Sequence, residues 1–140
     1  MLDNYQDLIE DLVGTPTRLR ELLNDAEAPP EATAILATLR DREQAVHERV
    51  QRTLRERDPV LKPMPPGPDS QSTESSSEAL SGFESARGEM VSLLMNLTLR
   101  DWERAAIDEN GKQMTIAEQV EVHIEFEEEH VAALERSLNA

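Results

Sequence analysis

The sequence predicts an all-α fold, a four-helix bundle with a long Pro/Ser-rich crossover between its second and third helices. Four stretches place apolar residues at helical spacing, the pattern of helices that each bury one face. Aromatic residues make up only 3% of the chain. Burial therefore falls to Leu, Val, Ile, Met and Ala, which suit helix-on-helix packing better than a sheet sandwich. At 140 residues there is material for a single domain, 1–140, and too little for two separate cores.

The first helix is marked by Leu8, Leu12, Leu19, Leu22 and Leu23 along one side. Pro16 interrupts it, because proline lacks an amide donor and disfavours the α conformation for Thr15 before it. Either the helix is kinked there, or Thr15 caps a new one with Pro16 in its first turn. Ala28-Pro29-Pro30 reads as the end of this element.

Ile35, Leu39, Val46, Val50 and Leu54 mark a long second helix. Its arginines (Arg40, Arg42, Arg49, Arg52, Arg55 and Arg57) interleave with Asp41, Glu43, Glu48 and Glu56, which reads as a salt-bridged, solvated face. From Asp58 to Ser77 the composition turns to proline and serine, so this crossover (about 58–77) is expected to bury no face. Its PxxP spacing from Pro63 to Pro66 would suit an SH3-like partner, but a stiff link inside one bundle is the simpler reading.

Leu80, Phe83, Met90, Leu94 and Leu97 share one side of a third helix that is expected to end near Trp102, itself read as a core plug. Met90 and Met95 read as packing. Asp108-Glu109-Asn110-Gly111 forms a turn, with Gly111 free to take positive φ. Thr115 with Glu118 makes a capping box for the last helix. There Ile116, Val120, His123, Phe126, His130, Leu134 and Leu138 share the inner face, while Glu127-Glu128-Glu129 mostly faces water. Four such helices with one long link are expected to pack antiparallel.

The net charge of −15 excludes the easy partners: such a surface repels phosphate backbones and anionic lipid, so neither nucleic acid nor membrane binding is expected. The chain has no cysteine. Thiol nucleophiles and Cys-ligated metals are therefore excluded, and a reducing cytoplasm is compatible. Met1 to Val13 lacks the basic flank and apolar run of a signal peptide, and no stretch approaches the ~20 apolar residues of a membrane span. The expected location is cytoplasmic.

Several segments together resemble the DinB-like superfamily. Thr38-Leu39-Arg40-Asp41-Arg42-Glu43, Arg49, Leu54 and Asp58-Pro59-Val60-Leu61 are similar to that family's second helix and its exit. Phe83, Arg87, Leu94, Asp101-Trp102-Glu103-Arg104, Gly111 and Thr115 are similar to its third helix and the turn into the fourth. His130-Val131-Ala132-Ala133-Leu134 is similar to its last helix. The resemblance implies a four-helix bundle, a homodimer, and a divalent metal held by three histidines, one on helix 2 and two, four residues apart, on helix 4. It also implies, for some members, thiol-dependent transferase or isomerase activity. Carried over, the ligand positions are Thr38, Phe126 and His130, of which only His130 is able to ligate, and one imidazole does not hold a divalent ion against water.

The histidines present do not replace that set. His47 lies nine residues after Thr38, half a turn away on the opposite helix face. His123 and His130 are separated by roughly 10 Å along a helix axis, too far to chelate one ion easily. Glu127 and His130 have the Glu-x-x-His spacing of di-iron bundles, but only one copy of that unit is present. A mixed site of His123, Glu127 and His130 with Glu43 or Asp41 is geometrically open, yet it needs Glu127 to point inward where Phe126 is read as core. Inner histidines bonded to acids or water are the preferred reading. Arg87 on the inner side of helix 3 reads as a buried pair with Glu43 or another acid, with an anion clamp as the functional alternative.

The candidate pocket is thus Glu43, Arg87, His123, Glu127 and His130. The expected protein is a metal-free, non-catalytic DinB-like bundle acting in binding or in a stress-related role, with no cofactor and a small-molecule ligand left open. The alternative is a transferase or isomerase that uses a divalent metal such as Zn or Ni around His123, Glu127 and His130.

Overall fold

The structure, a computed structural model, describes residues 2–24, 26–65 and 74–139. Four long helices form the bundle: α1 (Leu2–Leu23), α2 (Pro30–Arg55), α3 (Ser76–Met95) and α5 (Ile116–Leu138). Between the last two lie the short α4 (Leu99–Trp102) and two strands, β1 (Ala105–Ile107) and β2 (Gln113–Thr115).

α1 runs through Pro16 without a break, so Thr15 caps nothing and is instead buried inside the bundle. The helix stops at Leu23, where Asn24 takes a left-handed φ of 48°. Pro29-Pro30 does not close α1 as expected; Pro30 opens α2, where a missing N–H leaves no helix bond unmade.

α3 ends at Met95, short of the expected Trp102. Thr98 and Asp101 form a capping box that starts α4 separately, so the chain cannot continue one helix through them. Met95 is 67% exposed and does not pack, whereas Met90 is fully buried. Trp102 is buried and stacks on Tyr5, with ring centroids 4.9 Å apart.

The turn 108–111 closes a β-hairpin that helical periodicity could not reveal. Ala106 pairs with Met114 across it, and Gly111 takes φ 82°. The start of the crossover is also ordered against the hairpin: Leu61 N–H donates to the Ile107 carbonyl (2.7 Å), and Ile107 N–H donates to the Pro59 carbonyl (2.8 Å). Pro59 and Leu61 are buried, so this part of the crossover does bury a face. Pro66, and with it the PxxP reading, lies outside the described residues. At the far end Ser75 Oγ accepts from Glu78 N–H (3.1 Å) and starts α3.

The helices are not all antiparallel. Glu43 of α2 meets Arg87 of α3, and Arg40, earlier on α2, lies against Gly82, earlier on α3. α2 and α3 are therefore parallel. Thr15 meets Glu127 and Arg18 meets Glu135, so α1 and α5 are parallel too. Two consecutive parallel helices need a connection that returns the chain over the bundle's length, which is what the long crossover supplies. Its proline content was legible in the sequence; the direction it imposes was not.

The core falls into two apolar clusters. One holds Leu19, Leu36, Leu39, Phe83 and Leu134; the other holds Leu12, Val46, Val50, Met90, Ile116 and Val120. On every long helix a buried polar residue stands between them: Thr15, Glu43, Arg87, and His123 with Glu127. A charged layer thus divides the core across its middle. Among the described residues, no helix is long and apolar enough to cross a membrane.

Candidate functional site

The layer is built from a defect. Pro16 has no N–H, so the carbonyl of Leu12, four residues earlier, receives no helix bond from it. Arg87 reaches across from α3 and supplies the donor: its Nη1 donates to Leu12 O at 2.6 Å.

The rest of the guanidinium meets carboxylates. Nε donates to Glu43 Oε2 (2.7 Å) and Nη2 to Glu43 Oε1 (2.8 Å), a bidentate pair. Nη2 also donates to Glu127 Oε1. Thr15 Oγ1 donates to the other Glu127 oxygen at 2.7 Å. His123 Nε2 lies 2.6 Å from Glu43 Oε1. Because a carboxylate only accepts, that nitrogen carries a proton, and Nδ1 has no hydrogen-bond partner.

Glu43, Arg87, His123 and Glu127 are each at least 95% buried. Burial by itself pushes the Glu43 carboxyl up. Hydrogen bonds from His123 and Arg87 outweigh it, and the group sits at about 2. Burial likewise weakens the charge on Arg87, but Glu43 and Glu127 hold it above its ordinary range. The centre is an interlocked set of charges, each satisfied by the next.

Of the five residues read from the sequence as a pocket, Glu43, Arg87, His123 and Glu127 come together here. His130 stands apart: its Nδ1 pairs with the Phe126 carbonyl (2.9 Å), and its ring stacks on Phe126 at 3.9 Å. The inward residue of the acidic run is Glu127, only 4% exposed, while Phe126 is half-buried under Arg42, whose Cζ is 4.0 Å from the ring centroid. The assignment of Glu127 to water is corrected accordingly, while Phe126 packs at the edge of the first apolar cluster. A frame with Glu127 inside also keeps His123, one turn earlier, on the same face. Thr38 is half-buried, and its hydroxyl donates to Ala34 O (3.0 Å). His47 is half-buried as well.

Sequence reasoning missed Thr15 and the Leu12 carbonyl as members of the centre. The available signal was Pro16, since a proline inside a helix always frees the carbonyl four residues before it.

The arrangement that the DinB-like resemblance implies, one ligand on the second helix and two spaced by four on the last, recurs as Glu43, His123 and Glu127. Their ligating atoms lie within 4.8 Å of one another. The donor chemistry would suit a divalent cation. The place between them, however, is filled by the Arg87 guanidinium, which takes up both oxygens of Glu43 and one of Glu127. An ion would have to displace a buried cation that has no other carboxylate to pair with in the layer. As folded, these three donors could take an ion only if the Arg87 guanidinium moved from between them.

No family model and no curated protein matches the chain. Among solved structures it is similar to YfiT from Bacillus subtilis, described as "a probable metal-dependent hydrolase with an unusual four-helix bundle topology". The two share 18% identity at a TM-score of 0.79, over 96% of this chain and 87% of that one. This likeness shows the fold, a four-helix bundle.

Proposed function

We propose that this DinB-like bundle works without a metal, as a non-catalytic binding protein in which an arginine has taken the place of the ion. The observation that carries the reading is Arg87, whose guanidinium bridges Glu43, Glu127 and the Leu12 carbonyl in the middle of the core. A permanent cation there pairs with both carboxylates at once and exposes no open coordination position to a substrate. The reading includes a cytoplasmic homodimer, as the sequence resemblance implies, and the net charge of −15 supports partners other than nucleic acid.

Elemental analysis of protein purified without a histidine tag should find no near-stoichiometric Zn, Ni, Mn or Fe. The melting temperature should not respond to chelator or to added metal, since an ion bound to the folded state must stabilise it. Arg87→Ala should reverse this, removing the competing cation and making the melting temperature respond to Zn²⁺. A wild-type protein that binds metal stoichiometrically would sink the reading.

A second reading is favoured by the convergence of Glu43, His123 and Glu127 within 4.8 Å. In it the chain is a metal-dependent hydrolase or a thiol-dependent transferase, and Arg87 swings aside when the ion enters. It predicts the opposite outcome of the same measurement.

A further inference from the structure

Beside the charged layer, α2, α5, the hairpin and the start of the crossover enclose a cleft of about 230 Å³. Its walls include Val46, Met64, Met114 and Val122, and its polar lining includes Arg42, Arg49, Lys112, Gln119 and His123. Buried side-chain atoms without a hydrogen-bond partner are rare in folded proteins. Here three of them, Arg42 Nε, Gln119 Oε1 and His123 Nδ1, belong to residues lining this one cleft.

Their roles follow from their other bonds. Thr53 Oγ1 donates to the Arg49 carbonyl (2.8 Å), so it can only accept from Gln119 Nε2 (3.2 Å), and the Gln119 carbonyl oxygen is left as a buried acceptor. His123 donates its Nε2–H to Glu43, and its buried Nδ1 is a second polar atom without a partner. Gln119 is 5% exposed and His123 is 2% exposed. Two carboxylates, Asp108 and Glu109, also line the cleft: Glu109 engages Arg49 (3.1 Å), and one Asp108 oxygen accepts from the N–H groups of Asn110 (2.9 Å) and Lys112 (2.8 Å). Arg42 and Lys112 have no carboxylate within ion-pair range among the described residues. In a chain of net charge −15 that is an uncommon surplus of positive charge. Burial and the neighbouring Arg49 both disfavour the charge on Arg42, with Glu109 opposing them, so a bound anion would relieve it.

We propose that this cleft binds a small organic carboxylate: its anion on Arg42 and Lys112, an N–H or O–H group on Gln119 and His123, and an apolar substituent against Met114 and Val122. The volume suits a ligand of amino-acid size. The proposal deepens the reading of the chain as a binding bundle and names what it binds.

The test is a titration of the full chain with N-acetyl-L-valine, followed by calorimetry and by amide NMR. Saturable binding with shifts at Gln119 and His123 is expected, and N-acetyl-L-valinamide, which lacks the charge, should bind at least roughly tenfold more weakly. Lys112→Gln lies on an exposed turn and leaves the core intact, so its weaker binding cannot be ascribed to unfolding. Arg42→Gln and Gln119→Leu should each weaken binding further, at unchanged near-UV dichroism. No saturable response to N-acetyl-L-valine, equal binding of inorganic phosphate, or binding unaffected by both Arg42→Gln and Lys112→Gln would each overturn the site. Metal content is measured separately: metal found alongside Arg42-dependent binding removes the metal-free reading and leaves this site, and the reverse pattern removes the site alone.

Discussion

Arg87 is the residue on which the charged layer closes, because it donates to Glu43, Glu127 and the Leu12 carbonyl at once. Replacing it by methionine keeps much of the volume but leaves two buried carboxylates facing one another. Arg87→Met should therefore lose about 3–5 kcal/mol in urea unfolding. Arg87→Lys keeps the charge without the bidentate fork and should fall between. A loss near zero for methionine would show that the layer contributes nothing to stability. Glu43 makes the same layer sensitive to acid. Its folded carboxyl sits at about 2 against 4.5 for the free group, so the unfolded chain takes up the proton first. The stabilisation, on the order of 3 kcal/mol, is present above about pH 4.5 and is lost as the pH falls toward 2. Glu43→Gln should flatten that part of the stability–pH curve, as measured by urea midpoints. The identity of these residues was half legible in the sequence: the spacing of Arg87 from Phe83 placed it inside. Glu127 was illegible because it sits in a run of three glutamates beside an aromatic, where hydrophobic period assigns the aromatic to the core. Only the demand of a buried arginine for a second carboxylate selects Glu127, and that demand is a tertiary fact.

At the scale of elements, local chemistry decided what was readable. The Thr115–Glu118 box is written in four consecutive residues and forms as read, with Glu118 N–H donating to Thr115 Oγ1 at 3.1 Å. Thr115→Ala should lower stability by about 1 kcal/mol in the same unfolding assay, from loss of the cap. The strands β1 and β2 were missed because segments this short show no period, and α3 was read too long because Leu97 fits the stripe that the Thr98 cap then interrupts. Pro16 is the most instructive case. A proline in a helix interior ordinarily costs about 3 kcal/mol relative to alanine. Here the Leu12 carbonyl that Pro16 leaves without a helix bond is used by Arg87 at 2.6 Å. Pro16→Ala restores a competing amide donor to that oxygen, so its gain should be well under the helix-propensity value, about 1 kcal/mol or less. A full gain of about 3 kcal/mol would mean that the Arg87 contact adds nothing.

Over the whole molecule, two opposed electrostatic regimes are kept apart by burial. Inside, a layer of paired charges crosses the core where solvent and salt do not reach it. Outside, a net charge of −15 repels itself, and pairs such as Arg18–Glu135, Arg20–Glu84 and Arg52–Glu56 are too exposed to offset it by much. The overall charge was plain from the sequence, as was the count of long helices, but the parallel pairing of α2 with α3 was not, since amphipathic period carries no direction. The consequence is measurable in one titration. Salt screens exposed charges over about 10 Å at 0.1 M, and leaves buried pairs nearly untouched. The repulsion should therefore be relieved while the Glu43–Arg87–Glu127 layer holds, and the melting temperature at pH 7 should rise steadily as NaCl goes from about 0.01 M to 0.15 M. In Arg87→Met the same rise should persist from a lower starting point, because the change lies in the layer that salt does not reach. A melting temperature that falls with salt would mean that the exposed ion pairs outweigh the repulsion, and that the bundle is held together at its surface rather than through its middle.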